Sequence, residues 1–207
     1  MLVTGGIALD CEMVRGRCGA ARLGRVSLVN WDESVLLDSY VHVPDDEVDD
    51  YLTHVSGLTR RHLEGAPSFK CVQRHVAQLC EGRVLIGHAI SNDLKALQLA
   101  HPPHLLLDTF ELDWGKARNK HKGLKRLAHE VLGCEVQEGA HSPVEDALTT
   151  LRLLKRWQEA GVPSERIERL TLRGGRAWES PPPSEAVKAV ETVEAVETVE
   201  AVETVEA

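Results

Sequence analysis

Strand-like and helix-like segments follow one another in an order that limits what this chain of 207 residues can fold into. Three strand-like apolar runs come first, and the polar turn at 30–33 between the second and the third predicts a β-hairpin. Helical patterns then alternate with two short apolar runs, which are typical of strands buried on both faces. This order predicts an α/β fold in which α-helices flank a mixed β-sheet. The predicted strands are 7–9, 25–29, 34–43, 84–87 and 105–108, and the predicted helices are 69–80, 93–100, 124–132 and 143–158.

The composition changes abruptly after residue 180, and this change sets the predicted domain boundary. A proline-marked linker is followed by the hexad AVETVE, which repeats three times between Ala189 and Glu206. Valine at every third position gives neither a helix nor a strand an apolar face, so 181–207 is expected to be a solvated low-complexity tail. The tail carries seven glutamates and one lysine, so six of the eight net negative charges lie outside the domain predicted over 1–180.

The composition also excludes some classes of protein. No apolar run approaches the roughly 18 residues of a membrane-spanning helix, so no membrane partner is expected. The five cysteines are widely spread and include no Cys-x-x-Cys pair, which favours reduced thiols over a disulfide framework or a zinc site. Together with an opening that lacks the pattern of a secretory signal, this predicts an intracellular protein.

Acidic residues occur at two places where a predicted strand ends. Asp10 and Glu12 are two positions apart at the end of the first strand, so both carboxylates point to one face of the sheet. Asp93 lies in the first turn of the helix that follows the strand 84–87, with Ser91 or Asn92 as the predicted helix cap. Acids at carboxyl ends of strands lie where open α/β sheets place their functional sites.

A third motif pairs a histidine with an acid. Ser142 is a favourable N-cap and Pro143 suits the first helical position, so a helix is predicted to begin there. His141 then precedes the cap and Asp146 lies in the first turn, which places the imidazole beside the carboxylate.

The chemistry follows from gathering these groups in one cleft. Four neighbouring carboxylates cannot all ionise without cations, and all-oxygen ligands select Mg²⁺ or Mn²⁺. Two such ions stabilise the attacking and leaving oxygens of a displacement at phosphorus. The imidazole of His141, with an unperturbed pKa of about 6.5, suits removal of a proton from the attacking water. The residues predict metal-assisted phosphodiester hydrolysis, with metal ligands Asp10, Glu12, Asp93 and Asp146.

The order Asp-x-Glu, Asp, His-x4-Asp resembles the DEDDh 3′–5′ exonucleases, in particular the RNA exonuclease 4 and interferon-stimulated exonuclease subgroup. The resemblance implies a ribonuclease H-like fold, 3′–5′ polarity, two bound metal ions and His141 as the general base. It also implies the 3′ end of single-stranded RNA or DNA as partner, with rRNA processing in the nucleus or nucleolus as the setting, although the cytoplasm stays open. The segments that carry it are 9–14, 25–30, 55–58, 82–89, 92–95, 101–102, 108–109 and 142–147.

Other residues are candidates for substrate contact. Met13 and His88 match positions that line the terminal nucleotide in the family, while core packing is the alternative for Met13 and a structural role is the alternative for His88. The basic stretch 116–126, which includes Lys120 and Lys122, suits a surface that tracks phosphates. A solvated loop or a nuclear-targeting signal is the alternative for that stretch.

One departure from the family affects the choice of substrate. Leu52 stands where relatives often carry an arginine, which lies near the terminal ribose in the interferon-induced member, and leucine cannot donate a hydrogen bond. The resemblance makes RNA the expected substrate, but this departure leaves DNA open. The sequence does not give the oligomeric state. The alternative function is a non-catalytic nucleic-acid-binding scaffold on the same fold. All five catalytic and metal-binding positions are filled, which favours the enzyme.

Overall fold

A mixed β-sheet forms the centre of the computed structural model, which describes residues 2–115 and 122–159. The predicted acidic tail, 181–207, lies outside these residues. Within the described part, the sheet order is β3-β2-β1-β5-β6, and β4 pairs with the end of β1. The strands are β1 (Gly6–Gly16), β2 (Ala21–Asn30), β3 (Val35–Tyr40), β4 (Val48–Asp50), β5 (Val84–Gly87) and β6 (Leu106–Asp108).

Strand register brings several strand ends to one edge of the sheet. β1 runs antiparallel to β2, and β2 and β3 form the predicted hairpin. β1 is parallel to β5, with Ala8 opposite Ile86, and β5 is parallel to β6, with Gly87 opposite Asp108. The residues that follow these positions in all three strands therefore lie side by side at the same edge.

Helices cover both faces of the sheet. Leu9 of β1 packs with Val72 and Val76 on one face, whereas Ala8 packs with Leu151 on the other, as the alternation of side chains along a strand requires. The predicted α/β class is thus confirmed. None of the helices in the described ranges is long and apolar enough to cross a membrane. The helices are α1 (Thr53–Ser56), α2 (Arg60–Leu63), α3 (Phe69–Cys80), α4 (Ser91–Ala96), α5 (Leu124–Leu127) and α6 (Pro143–Glu159), with a π-helical turn at Ala128–Leu132.

Several predicted boundaries were wrong. The first strand continues to Gly16, so Asp10 and Glu12 lie within it rather than at its end, and the second strand begins at Ala21 rather than at residue 25. The third strand ends at Tyr40 rather than at residue 43, and the backbone N–H of His42 donates to Pro67 O at 2.8 Å. α4 ends at Ala96 rather than at residue 100, because the backbone of Gln98 turns to a left-handed φ of 51°. The helix predicted over 124–132 is α-helical only as far as Leu127 and continues as the π-helical turn.

Gly87 is required for close packing where β5 turns into α4. A Cβ atom at this position would lie 2.6 Å from the Cβ atom of Ile90, a branched carbon that cannot swing away. We expect Gly87→Ala to lower the free energy of unfolding by about 1–3 kcal/mol, measured by urea denaturation. Gly139→Ala is the control, because nothing lies within 4 Å of the added methyl group. Equal stabilities for the two variants would contradict this reading of the turn.

Candidate active site at the edge of the sheet

β1 positions the first two carboxylates. Asp10 and Glu12 share the face on which Ala8 packs against α6, while Leu9 and Cys11 point into the apolar cluster on the opposite face. The pairing of β1 with β2 shifts register between Glu12 and Met13, so the strand is irregular directly after the second acid. Glu12 is buried, with 6% of its surface exposed.

A backbone hydrogen bond joins the third carboxylate to the first two. The N–H of Cys11, which lies between the two acids in β1, donates to Asp93 Oδ1 at 3.0 Å. Asp93 is 5% exposed and comes from the first turn of α4. β1 thus supplies two of the carboxylates as side chains and binds the third, that of Asp93, through a backbone N–H.

The turn before α4 is held by an acid from β6. The Asp108 carboxylate accepts the backbone N–H groups of Ala89 at 2.8 Å and Ile90 at 3.1 Å. The predicted cap at Ser91 or Asn92 was therefore wrong. Ile90 is the N-cap, without a side-chain cap bond of its own, and a side chain from a neighbouring strand satisfies the turn.

α6 supplies the fourth carboxylate and the histidine. The helix begins at Pro143, and Asp146 N donates to Ser142 O at 2.9 Å. His141 Nδ1 lies 3.8 Å from Asp146 Oδ2, and the backbone N–H of His141 donates to Val55 O at 2.7 Å. The short helix α1 therefore anchors the segment that carries the histidine.

The structure brings these groups together. Glu12, His141 and Asp146 each offer a ligand atom, and those atoms lie within 4.8 Å of one another, so they could hold a metal ion. Asp10 lies close enough to Asp93, Asp146 and Glu12 for their charges to raise its pKa. We call Asp10, Glu12, Asp93 and Asp146 the acidic cluster.

Burial is the largest cause that raises the pKa of each carboxyl group in the acidic cluster. Burial is the larger cause in raising the pKa of Glu12 to about 7, and repulsion by Asp146 and Asp93 adds to it. Burial likewise raises the pKa of Asp93 to about 7, against hydrogen bonds that lower it. The pKa values of Asp10 and Asp146 are raised by burial too. At neutral pH Glu12 and Asp93 need added positive charge to ionise fully.

The donor set fits a hard divalent cation. Asp146 Oδ1 is buried and has no hydrogen-bond partner among the described residues. An unpartnered buried carboxylate oxygen is costly, and a cation bound to it would offset that cost. Oxygen donors of this kind suit Mg²⁺ or Mn²⁺.

Candidate substrate residues lie in two places. Met13 is half-buried and packs against the apolar cluster beneath α3 and α4. His88 Nδ1 lies 2.9 Å from Thr109 Oγ1, and its ring meets Phe110 edge-on at 5.7 Å between centroids.

The candidates for phosphate contact are two lysines. Lys122 Nζ donates to a backbone carbonyl at 3.0 Å and lies 5.9 Å from the centre of the Phe110 ring. Lys120, like the rest of 116–121, lies outside the described residues, so the roles in substrate binding stay predictions.

Sequence analysis missed two residues of the site. Asp108 could have been found, because it is an acid at the carboxyl end of a short apolar strand, a position at which the sequence was already searched for acids. Gln137 offered no signal, because it lies in an irregular loop before α6. Its Nε2 donates to Asp146 Oδ2 at 2.8 Å.

The family model described as Exonuclease matches residues 7–154. That range includes the whole acidic cluster and His141. The chain belongs to this exonuclease family. The resemblance that the motifs predicted is therefore confirmed.

Curated relatives agree with the family model. RNA exonuclease 4 of Mycosarcoma maydis is 42% identical over 201 residues, that of Saccharomyces cerevisiae 44% over 157, and that of Mus musculus 38% over 176. These alignments cover 88%, 72% and 82% of this chain but 53%, 53% and 40% of the relatives. The chain thus spans about half the length of the curated relatives it matches or less.

Solved structures agree on the fold. The catalytic unit of Neurospora crassa Pan2, with its protease and nuclease domain, aligns with a TM-score of 0.68 at 23% identity, over 86% of this chain and 31% of that one. The pseudoubiquitin hydrolase-RNA exonuclease module of Saccharomyces cerevisiae Pan2, in complex with A7 RNA, aligns with a TM-score of 0.66 at 26% identity, over 82% and 31%. The α/β exonuclease fold is thus confirmed.

The raised pKa values predict a pH dependence of stability. Without divalent cations, the folded protein holds protons on Glu12 and Asp93 up to about pH 7, whereas the unfolded chain releases them near pH 4. The contribution of these groups is present below about pH 4 and is lost as the pH rises through about 7. We expect Tm in EDTA to fall over this range and Mg²⁺ or Mn²⁺ to reverse the fall, measured by calorimetry.

Glu12→Gln provides the matched control, because it keeps the side-chain shape and removes one titrating group. We expect it to reduce the fall in stability by about 2 kcal/mol, or roughly 4–8 °C in Tm. It should also reduce the stabilisation by added cations. An unchanged pH profile in Glu12→Gln would show that the acidic cluster does not cause the dependence.

Proposed function

We propose that this chain is a metal-dependent 3′–5′ exonuclease that hydrolyses phosphodiester bonds of single-stranded nucleic acid, with RNA as its substrate. The observation that carries the proposal is the convergence of ligand atoms from Glu12, His141 and Asp146 within 4.8 Å of one another, beside Asp10 and Asp93. RNA is supported by the names of the RNA exonuclease 4 relatives and by the Pan2 module in complex with A7 RNA.

The acidic cluster would hold two divalent cations, Mg²⁺ or Mn²⁺. When bound, such a pair stabilises the negative charge that develops on the attacking and leaving oxygens at phosphorus. The protein's part is to present carboxylates from β1, α4 and α6, elements whose positions the sheet sets. Two of these carboxylates accept hydrogen bonds from neutral donors, which fix their positions without cancelling their charge.

His141 would accept the proton of the attacking water. Its side chain is 30% exposed, so the imidazole reaches solvent while the backbone is tied to Val55. Nδ1 faces Asp146, which leaves Nε2 as the nitrogen that takes the proton. A carboxylate beside the ring stabilises the imidazolium that forms.

The substrate strand would approach along the carboxyl ends of β5 and β6. His88 follows β5 directly, and Lys122 lies close to the Phe110 ring just beyond β6. We propose contacts to the terminal nucleotides by Met13 and His88, and contacts to phosphate by Lys120 and Lys122. A cation near an aromatic ring suits a strand that presents alternating phosphates and bases.

The remaining proposals concern the context of the enzyme. The catalytic domain is proposed to extend over 1–180, with the acidic repeat of 181–207 outside it. Nuclear or nucleolar placement and rRNA processing stay predictions from the family resemblance.

Two substitutions test the mechanism. We expect Asp146→Asn and His141→Ala to lower the exonuclease rate by at least about 100-fold, because one removes a metal ligand and the other a general base. The assay follows a single strand labelled at its 5′ end, with Mg²⁺ or Mn²⁺, and resolves the ladder of shortened products. Asp46→Asn and His104→Ala are matched controls at exposed positions of the same residue types.

Several outcomes would contradict the proposal. Undiminished cleavage by Asp146→Asn or His141→Ala would exclude the mechanism. Cleavage of a strand whose 3′ end is blocked would exclude the polarity. Binding of the strand without cleavage by the unmodified protein would favour the non-catalytic scaffold.

Position 52 tests the choice between RNA and DNA. Leu52 has a left-handed φ of 51° and precedes α1, so Leu52→Arg leaves the backbone strain unchanged and adds a hydrogen-bond donor. If this side chain lies near the terminal ribose, we expect the ratio of RNA to DNA cleavage to rise by about 5–10-fold, as one added hydrogen bond allows. Matched RNA and DNA strands of one sequence measure the ratio. An unchanged ratio would place residue 52 away from the sugar.

A further inference from the structure

One oxygen of the Asp146 carboxylate has a partner and the other has none. Gln137 Nε2 donates to Oδ2 at 2.8 Å, a short and well-formed hydrogen bond. Oδ1 is buried and has no partner among the described residues. The two chemically equivalent oxygens are therefore made different by Gln137.

This difference controls how the carboxylate is oriented. The terminal torsion of an aspartate is broad and roughly two-fold, so an unheld carboxylate turns over a wide range at little cost. A donor fixed on Oδ2 limits that rotation and keeps Oδ1 directed away from the amide. The amide is also neutral, so it holds the carboxylate without the charge through which a lysine would compete with a cation.

Gln137 is itself held in place. Its backbone has a left-handed φ of 55°, a conformation that costs a residue with a side chain about 1 kcal/mol or more and persists where surrounding contacts maintain it. Lys125 Nζ donates to the Gln137 carbonyl at 3.0 Å, and the preceding residue, Val136, is buried. The amide is thus presented to Asp146 from a fixed loop.

We propose that Gln137 is a positioning residue of the metal site, which orients the Asp146 carboxylate so that Oδ1 is the oxygen offered to a divalent cation. The inference rests on the proposed function, because it takes Asp146 as a metal ligand. Gln137 acts through Asp146 and does not itself contact the reacting atoms.

The test is a calorimetric titration of the full chain with Mn²⁺ in the absence of nucleic acid. Gln137→Met keeps the length of the side chain and removes its donor. We expect its Kd for Mn²⁺ to rise by about 10-fold or more, as loss of a hydrogen bond that orients a metal ligand commonly does. Gln98→Met is the matched control, because Gln98 is exposed and has a left-handed φ of 51°. Its Kd should stay within about 2-fold of the unmodified protein.

The outcomes separate positioning from a structural role. A Kd for Gln137→Met equal to that of the control overturns the inference, whether or not its Tm without cations has fallen. If Gln137→Met does not fold, Gln137→Ala is judged by the same criterion.

Asp146→Asn separates this inference from the function on which it rests. Weakened Mn²⁺ binding by Asp146→Asn with unchanged binding by Gln137→Met overturns the positioning role alone. Unchanged binding by Asp146→Asn overturns the assignment of Asp146 as a ligand, and the positioning role with it.

Discussion

The burial of four neighbouring carboxylates in the acidic cluster is the constraint that the surrounding structure has to accommodate. Burial makes the repulsion stronger, because nearby water no longer screens the charges. The fold holds the carboxylates in fixed positions, because they project from a central strand and from two helices that pack on the sheet. Neutral groups, the Cys11 N–H and the Gln137 amide, then hold two of the carboxylates without removing their charge. The free-energy cost of burying these negative charges remains, and a bound cation would offset it.

Features that depend on neighbouring residues were predictable from the sequence. The two-residue period of β1 placed Asp10 and Glu12 on one face because successive side chains of a strand alternate. The start of α6 followed from a serine and a proline whose backbone preferences are local. The mixed sheet followed from the order of the apolar runs. The first two of these inferences need only the residues next to the feature, and the third needs only the order of the segments along the chain.

Features that depend on contacts between distant elements were not predictable. The predicted cap of α4 at Ser91 or Asn92 was wrong because Asp108, from another strand, satisfies the turn. The hydrogen bond from Gln137 to Asp146 depends on a left-handed loop residue, for which nothing in the local pattern gives a sign. The bond from Cys11 to Asp93 joins residues 82 positions apart and required the sheet register.

The distribution of the site along the chain has a consequence for the making of the protein. Glu12 and Asp146 are 134 positions apart, so β1 is synthesised well before α6. At about 5–20 residues per second, translation needs roughly 7–27 s to add that interval. A growing chain therefore lacks both His141 and the carboxylate of Asp146 until that interval has been added. The acidic cluster is therefore completed only when the last of its elements has been made, several seconds or more after β1.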